Sequence, residues 1–143
     1  MTIRFATRLL ALTAGLALAA GAASADPRPD DKKPEKPKDI KEIMNKGHKG
    51  KKALLNVVGN ELKAEKWDKV QEATEQMKVF GETIGDFDPP KGDKESWKKM
   101  TDKYKEQTKK MDEAADKKDA AGTEKALKMV QDSCKGCHSQ HKP

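Results

Sequence analysis

The residues best equipped for chemistry lie close to the C-terminus, in Cys134-Lys135-Gly136-Cys137-His138. Two cysteines three apart, with a histidine directly after the second, form the pattern of c-type haem attachment. The two thiols add across the vinyl groups of one macrocycle, and the histidine binds its iron from one side. On a helix, Cys134 and Cys137 share a face and His138 lies one turn beyond Cys134, so all three address one group. No other cysteine exists in the chain. Three other readings compete. A thioredoxin-like redox pair belongs in a βαβ setting, which the sequence does not offer. A closed structural zinc site takes four ligands, and His138 and His141 would complete one only in cramped geometry. A plain disulfide is the third.

The N-terminus narrows the choice. Arg4 and Arg8 precede an apolar run from Leu9 to Ala20, and Ala23-Ser24-Ala25 is a small-residue cleavage site. Residues 1–25 therefore read as a secretory signal peptide rather than a membrane anchor. No other stretch could span a bilayer. The expected location is the periplasm, where haem is attached to such motifs. After Ala25 the net charge falls from +6 to +4, because Arg4 and Arg8 are lost without any acid. Only 32 of the 118 remaining residues are apolar or aromatic, about 27%, which is lean for a self-sufficient core. A small domain of this kind needs a staple, and a tethered apolar disc would be one.

Residues 26–38 (DPRPDDKKPEKPK) are proline and charge throughout and read as a disordered, solvated Pro/Lys-rich arm. The domain expected over residues 39–143 is all-α. Asp39 is a candidate N-cap for a first helix whose stripe is Ile40, Ile43, Met44, Gly47, Leu54, Leu55, Val58 and Leu62. Gly47 lies on that stripe, where a missing side chain admits a bulky neighbour such as a haem face. A second helix spans about 64–83, with Trp67, Val70, Ala73, Met77 and Phe80 inward. Residues 85–92 (GDFDPPKG) break the chain. Asp93 caps a third helix with Trp97, Met100, Tyr104, Thr108, Met111 and Ala115 inward. The fourth begins near Asp119 or Thr123 and runs through Leu127, Val130, Cys134 and Cys137. No segment shows strand alternation. The expected fold is an antiparallel four-helix bundle, with the first helix beside the fourth and covalent haem near the C-terminus.

From Asp39 onward the chain resembles the class II c-type cytochromes, the cytochrome c-prime family. Four helices, a leader and a single CxxCH in the last helix carry the resemblance, and the motif's place is its specific part, since class I cytochromes c bear it near the N-terminus. The family usually has an aromatic residue three after the motif histidine and then a basic one; here His141 and Lys142 stand there. The resemblance implies one haem c, bound through Cys134 and Cys137, with His138 as the proximal iron ligand. Some members leave the other face of the iron open and bind small gases. The low-spin branch supplies a methionine from the first helix, and Met44 falls where it is expected. By residue type alone Met44 could equally be core filler, as Met77, Met100 and Met111 are read to be. His48, one turn further on, competes with it for the iron. His141 reads as a surface group near a haem propionate.

The function expected is a monohaem carrier of one electron between a periplasmic donor and acceptor. The alternatives are a five-coordinate protein that binds nitric oxide or carbon monoxide, and a haem-free bundle with a disulfide. No acid–base or nucleophile constellation accompanies the motif, so no enzyme is implied. Lysines interleave with acids along most helices (Glu61 to Lys69, Lys98 to Lys110), which reads as solvated outer faces. The modest positive charge would steer the protein to acidic partners, with Lys135 near the haem edge. Balanced charge and few aromatics argue against nucleic acid. Family members often dimerise through their first two helices; lysine-rich faces here leave monomer or homodimer open.

Overall fold

The computed structural model describes residues 33–143. The signal peptide expected at 1–25 and residues 26–32 of the arm lie outside the described residues. Among those described, every regular element is helical: α1 (Ile40–Ile43), continued by a π-helical turn (Met44–His48), then α2 (Leu54–Lys63), α3 (Trp67–Thr83), a 3₁₀ turn (Ile84–Asp86), α4 (Lys94–Asp116) and α5 (Ala120–His141). Successive members of α2 to α5 pack on one another, and α2 closes the ring against α5. The result is the four-helix bundle expected, with short links reversing the chain between neighbours.

The helix starts follow from short acidic caps. Asp39 accepts from the Glu42 amide at 2.7 Å, Asp93 from Ser96 at 2.8 Å and Asp119 from Gly122 at 3.0 Å. Each satisfies a backbone donor that has no partner within its own helix. Glu42 returns the contact by accepting from the Lys38 amide at 2.8 Å.

The first helix departs from expectation. It is not continuous to Leu62 but breaks after His48 and resumes at Leu54. Lys49 is extended and Gly50 takes a φ of +88°, a conformation that glycine alone adopts without strain. The break is held in place: Asn56 Nδ2 donates to the Gly50 carbonyl at 2.8 Å, and the Ala53 amide donates to it at 3.1 Å. Helix α3 likewise starts three residues later than the pattern implies, because Glu65 sits at φ +55°.

The core runs along the bundle axis through Val58, Val70, Met77, Phe80, Met111 and Val130, each 1% exposed or less. A polar tie crosses it between α3 and α4. Buried Asp112 pairs with Lys78 and accepts from Thr74 Oγ1 at 3.2 Å, while Gln71 donates to the Ala115 carbonyl at 3.1 Å. Lys33 to Lys38, the end of the arm nearest the domain, has no regular secondary structure but lies along α3. The Gln76 side chain accepts from the Glu35 amide at 2.9 Å and donates to its carbonyl at 2.8 Å.

Candidate haem-binding site

Helix α5 buries Thr123, Ala126, Leu127 and Val130, the period-3.6 stripe of a core helix. Burial then stops. From Gln131 to Gln140 no side chain is fully buried, and the next one that is, His141, comes about 16 Å further along the axis. The positions that would continue the stripe are Cys134 and Cys137, both half-exposed free thiols. They face a cavity of about 220 Å3 whose walls include Met44, His48, Ile84, Met100, Tyr104 and His138. A wider recess of about 630 Å3 shares Met44, His48, Ile84, Cys137 and His138 and extends to Ile40, Trp97 and His141. The gap in the core thus coincides with the motif.

Each wall has a local reason to be there. Cys134 and Cys137 are presented by unbroken helix, with the Cys134 thiol donating to the Val130 carbonyl at 3.5 Å. Burial pushes both thiols above their usual range; nearby Asp132 adds to this at Cys134, and Cys134 adds to it at Cys137. Gly136 has nothing within 4 Å of where a side chain would begin, so the outer side of the motif is open. On the opposite wall, the π-helical turn matters. Four residues of α-helix overshoot a full turn by about 40°; the wider i→i+5 turn reduces that offset. Met44 and His48 therefore share a face and line both recesses.

His48 is not free. Its Nε2 lies 2.8 Å from the Tyr104 hydroxyl, and its Nδ1 is buried with no partner. Burial, with a smaller push from His138, lowers the imidazole to about 4, so the ring is neutral across the physiological range. Burial, and then Cys134, raises the Tyr104 phenol, and it too stays neutral.

The residues fit a c-type haem. Two thiols and an imidazole occupy one helical face, the facing walls are mainly apolar, and the Met44 side chain lies across the cavity. Cys134 and Cys137 could hold the macrocycle, His138 could bind its iron, and Met44 lines the same space. Among the described residues no group of three or more His, Cys, Asp or Glu side chains is gathered to hold a bare metal ion.

Two sequence expectations are corrected. His141 is not a surface group: it is 2% exposed, donates through Nδ1 to the Lys91 carbonyl at 2.7 Å, and meets Ser96 Oγ at 3.0 Å through Nε2. Its ring packs edge-on against Trp97, with centroids 5.2 Å apart. Gly47 does not face the cavity. A Cβ there would lie 3.3 Å from both Met77 Sδ and Phe80 Cδ2, so the bulky neighbour it admits is helix α3. Three wall residues went unassigned from sequence. Met100 and Tyr104 are one turn apart on α4 and read as core, although a tyrosine hydroxyl on an apolar stripe must find a partner. Ile84 sits in a short link whose fold no period reveals.

The fold is a helical bundle, and the cavity beside its CxxCH motif has a lining that would fit a c-type haem. Over residues 92–142 the chain matches the family model described as Cytochrome C', which supports a class II c-type cytochrome with haem c and its iron as cofactor. No curated protein and no solved structure matches the chain. The matched segment is the loop before α4, α4 itself and α5, so it covers the CxxCH wall and not the wall that carries Met44.

Proposed function

We propose that this protein is an exported carrier of single electrons between periplasmic redox proteins, and that it does not catalyse a reaction of its own. The observation that carries the reading is the sharing of one cavity by Met44, Cys137 and His138. When bound, haem c supplies a ferric/ferrous couple, and histidine–methionine ligation suits that couple to electron transfer. The chain's own residues do the rest. Cys134 and Cys137 would anchor the group through thioethers, and His138 and Met44 would ligate its iron. Ile84, Met100 and Tyr104 keep water from the inner side. Exposed Lys41, Lys49, Lys103 and Lys142 line the mouths of the two recesses, where they favour encounter with acidic partners. The leader at residues 1–25 supports export, and no described helix is long and apolar enough to cross a membrane.

The test is optical. The reduced holoprotein should show a low-spin spectrum that carbon monoxide does not alter, and Met44→Ala should convert it to high spin. A wild-type spectrum that is high-spin and shifts with the gas favours the gas-binding alternative. A low-spin spectrum unchanged in Met44→Ala removes Met44 as the ligand.

A further inference from the structure

Two side chains on one wide turn, a thioether and an imidazole, face the same cavity, and they are not equally available. Imidazole is the better match for ferric iron, while a thioether is the softer donor. On ligand strength alone His48 would displace Met44. The nitrogen of His48 best placed to reach a metal through a flat macrocycle is Nε2, at the tip of the ring. Nδ1 stands next to the Cβ branch, and its approach would drive the chain into the porphyrin. Nε2 is the atom held by Tyr104, at 2.8 Å. Tyr104 is buried, 9% exposed, on the long helix α4, so its hydroxyl is a fixed point rather than a mobile one. The rings meet tilted, with centroids 5.6 Å apart.

We propose that Tyr104 is a positioning residue that decides the sixth ligand of the iron: by holding His48 Nε2 it keeps the imidazole off the metal and leaves the place to Met44. This rests on the haem reading above and adds to it a residue on a third helix that sets the ligand, and with it the potential, from outside the coordination sphere. Nothing in the Cys134–His138 motif or in the Met44 turn encodes that choice.

The experiment uses the full-length holoprotein, expressed with haem-attachment machinery. Tyr104→Phe keeps the buried ring and removes only the hydroxyl. The ferric variant should lose the far-red sulfur-to-iron absorption and acquire the paramagnetic resonance spectrum of a bis-imidazole haem, with a lower midpoint potential. Adding His48→Gln to Tyr104→Phe should restore the sulfur-bound spectrum. His48→Gln alone should leave the wild-type spectrum unchanged, and this variant does not depend on Tyr104→Phe being folded. Retention of the sulfur band in folded Tyr104→Phe overturns the proposal. So does a wild-type protein that already shows bis-imidazole ligation, although its haem reading would stand. A purified protein without covalently bound haem would instead sink the proposed function itself.

Discussion

Replacing His141 tests whether the last turns of α5 are held in place or merely continue outward. Its side chain makes two hydrogen bonds, at 2.7 and 3.0 Å, and an edge-on contact with Trp97. At about 0.5–1.5 kcal/mol for each hydrogen bond and a similar amount for the ring pair, His141→Ala should cost about 2–4 kcal/mol. His141→Phe keeps the ring and loses both hydrogen bonds. The Lys91 carbonyl is then left without its partner, but the Ser96 hydroxyl can turn to the Asp93 carbonyl, 3.1 Å away. The phenylalanine variant should therefore cost less, about 1–2 kcal/mol. Guanidinium unfolding of the holoprotein, followed by circular dichroism and by haem absorbance, gives both numbers. Thermal melting should agree, with the alanine variant lowered by roughly 10–20 °C. A cost below about 0.5 kcal/mol for alanine, or a phenylalanine variant worse than alanine, would refute the clamp.

Gly92→Ala should destabilise by about 1–3 kcal/mol in the same unfolding assay, because Gly92 has φ +84° and a Cβ there would lie 2.8 Å from the Gln140 carbonyl; an unchanged midpoint would mean that the loop does not rest on the C-terminus. Asp112→Ala should cost about 1–3 kcal/mol by removing the carboxylate that pairs with Lys78 and one of the two acceptors of Thr74, which keeps the Gln71 carbonyl at 3.1 Å, and Asp112→Asn less, since its amide oxygen still accepts; equal losses would argue that charge alone matters. Gly47→Leu should cost about 1–3 kcal/mol through overpacking against Met77 and Phe80 while leaving the haem spectrum alone. A spectral change there would place Gly47 against the haem after all.

What the sequence disclosed divides along a physical line. The caps at Asp39 and Asp93 are legible because each bond spans three residues, while the same bond at Asp119 decides a start that the sequence leaves open between Asp119 and Thr123. The break after His48 is not legible, because Gly47 and Leu54 are seven residues apart and the apolar stripe stays in phase across it. Periodicity cannot register an interruption that preserves the period. His141 misled for a different reason. Its type argues for the surface, and its burial depends on a carbonyl 50 residues away and a hydroxyl 45 residues away. Tyr104 was correctly placed on the inward stripe of α4, yet its hydroxyl partner lies 56 residues earlier, on a turn whose π geometry no propensity predicts. Local contacts can be read in the chain; the partners of buried polar groups need the fold.

The position of His141 also bears on how the motif is held. A helix that leaves its core at Val130 and simply stopped would fray over its last turns, since terminal turns lack backbone partners. Here the terminal turn is tied to the 91–97 segment, so α5 is fastened at Val130 and again at His141, with Cys134, Cys137 and His138 between. The motif is thereby held rigid over a space that the polypeptide leaves without core of its own. That arrangement fits the proposed haem: an apolar group fixed there would cover the roughly 16 Å of helix face that the polypeptide leaves unburied, with His141 fastening the far side. The clamp and the gap are both accounted for by the proposed haem, whereas a disulfide between the two cysteines would account for neither the open space nor the tie at its far end.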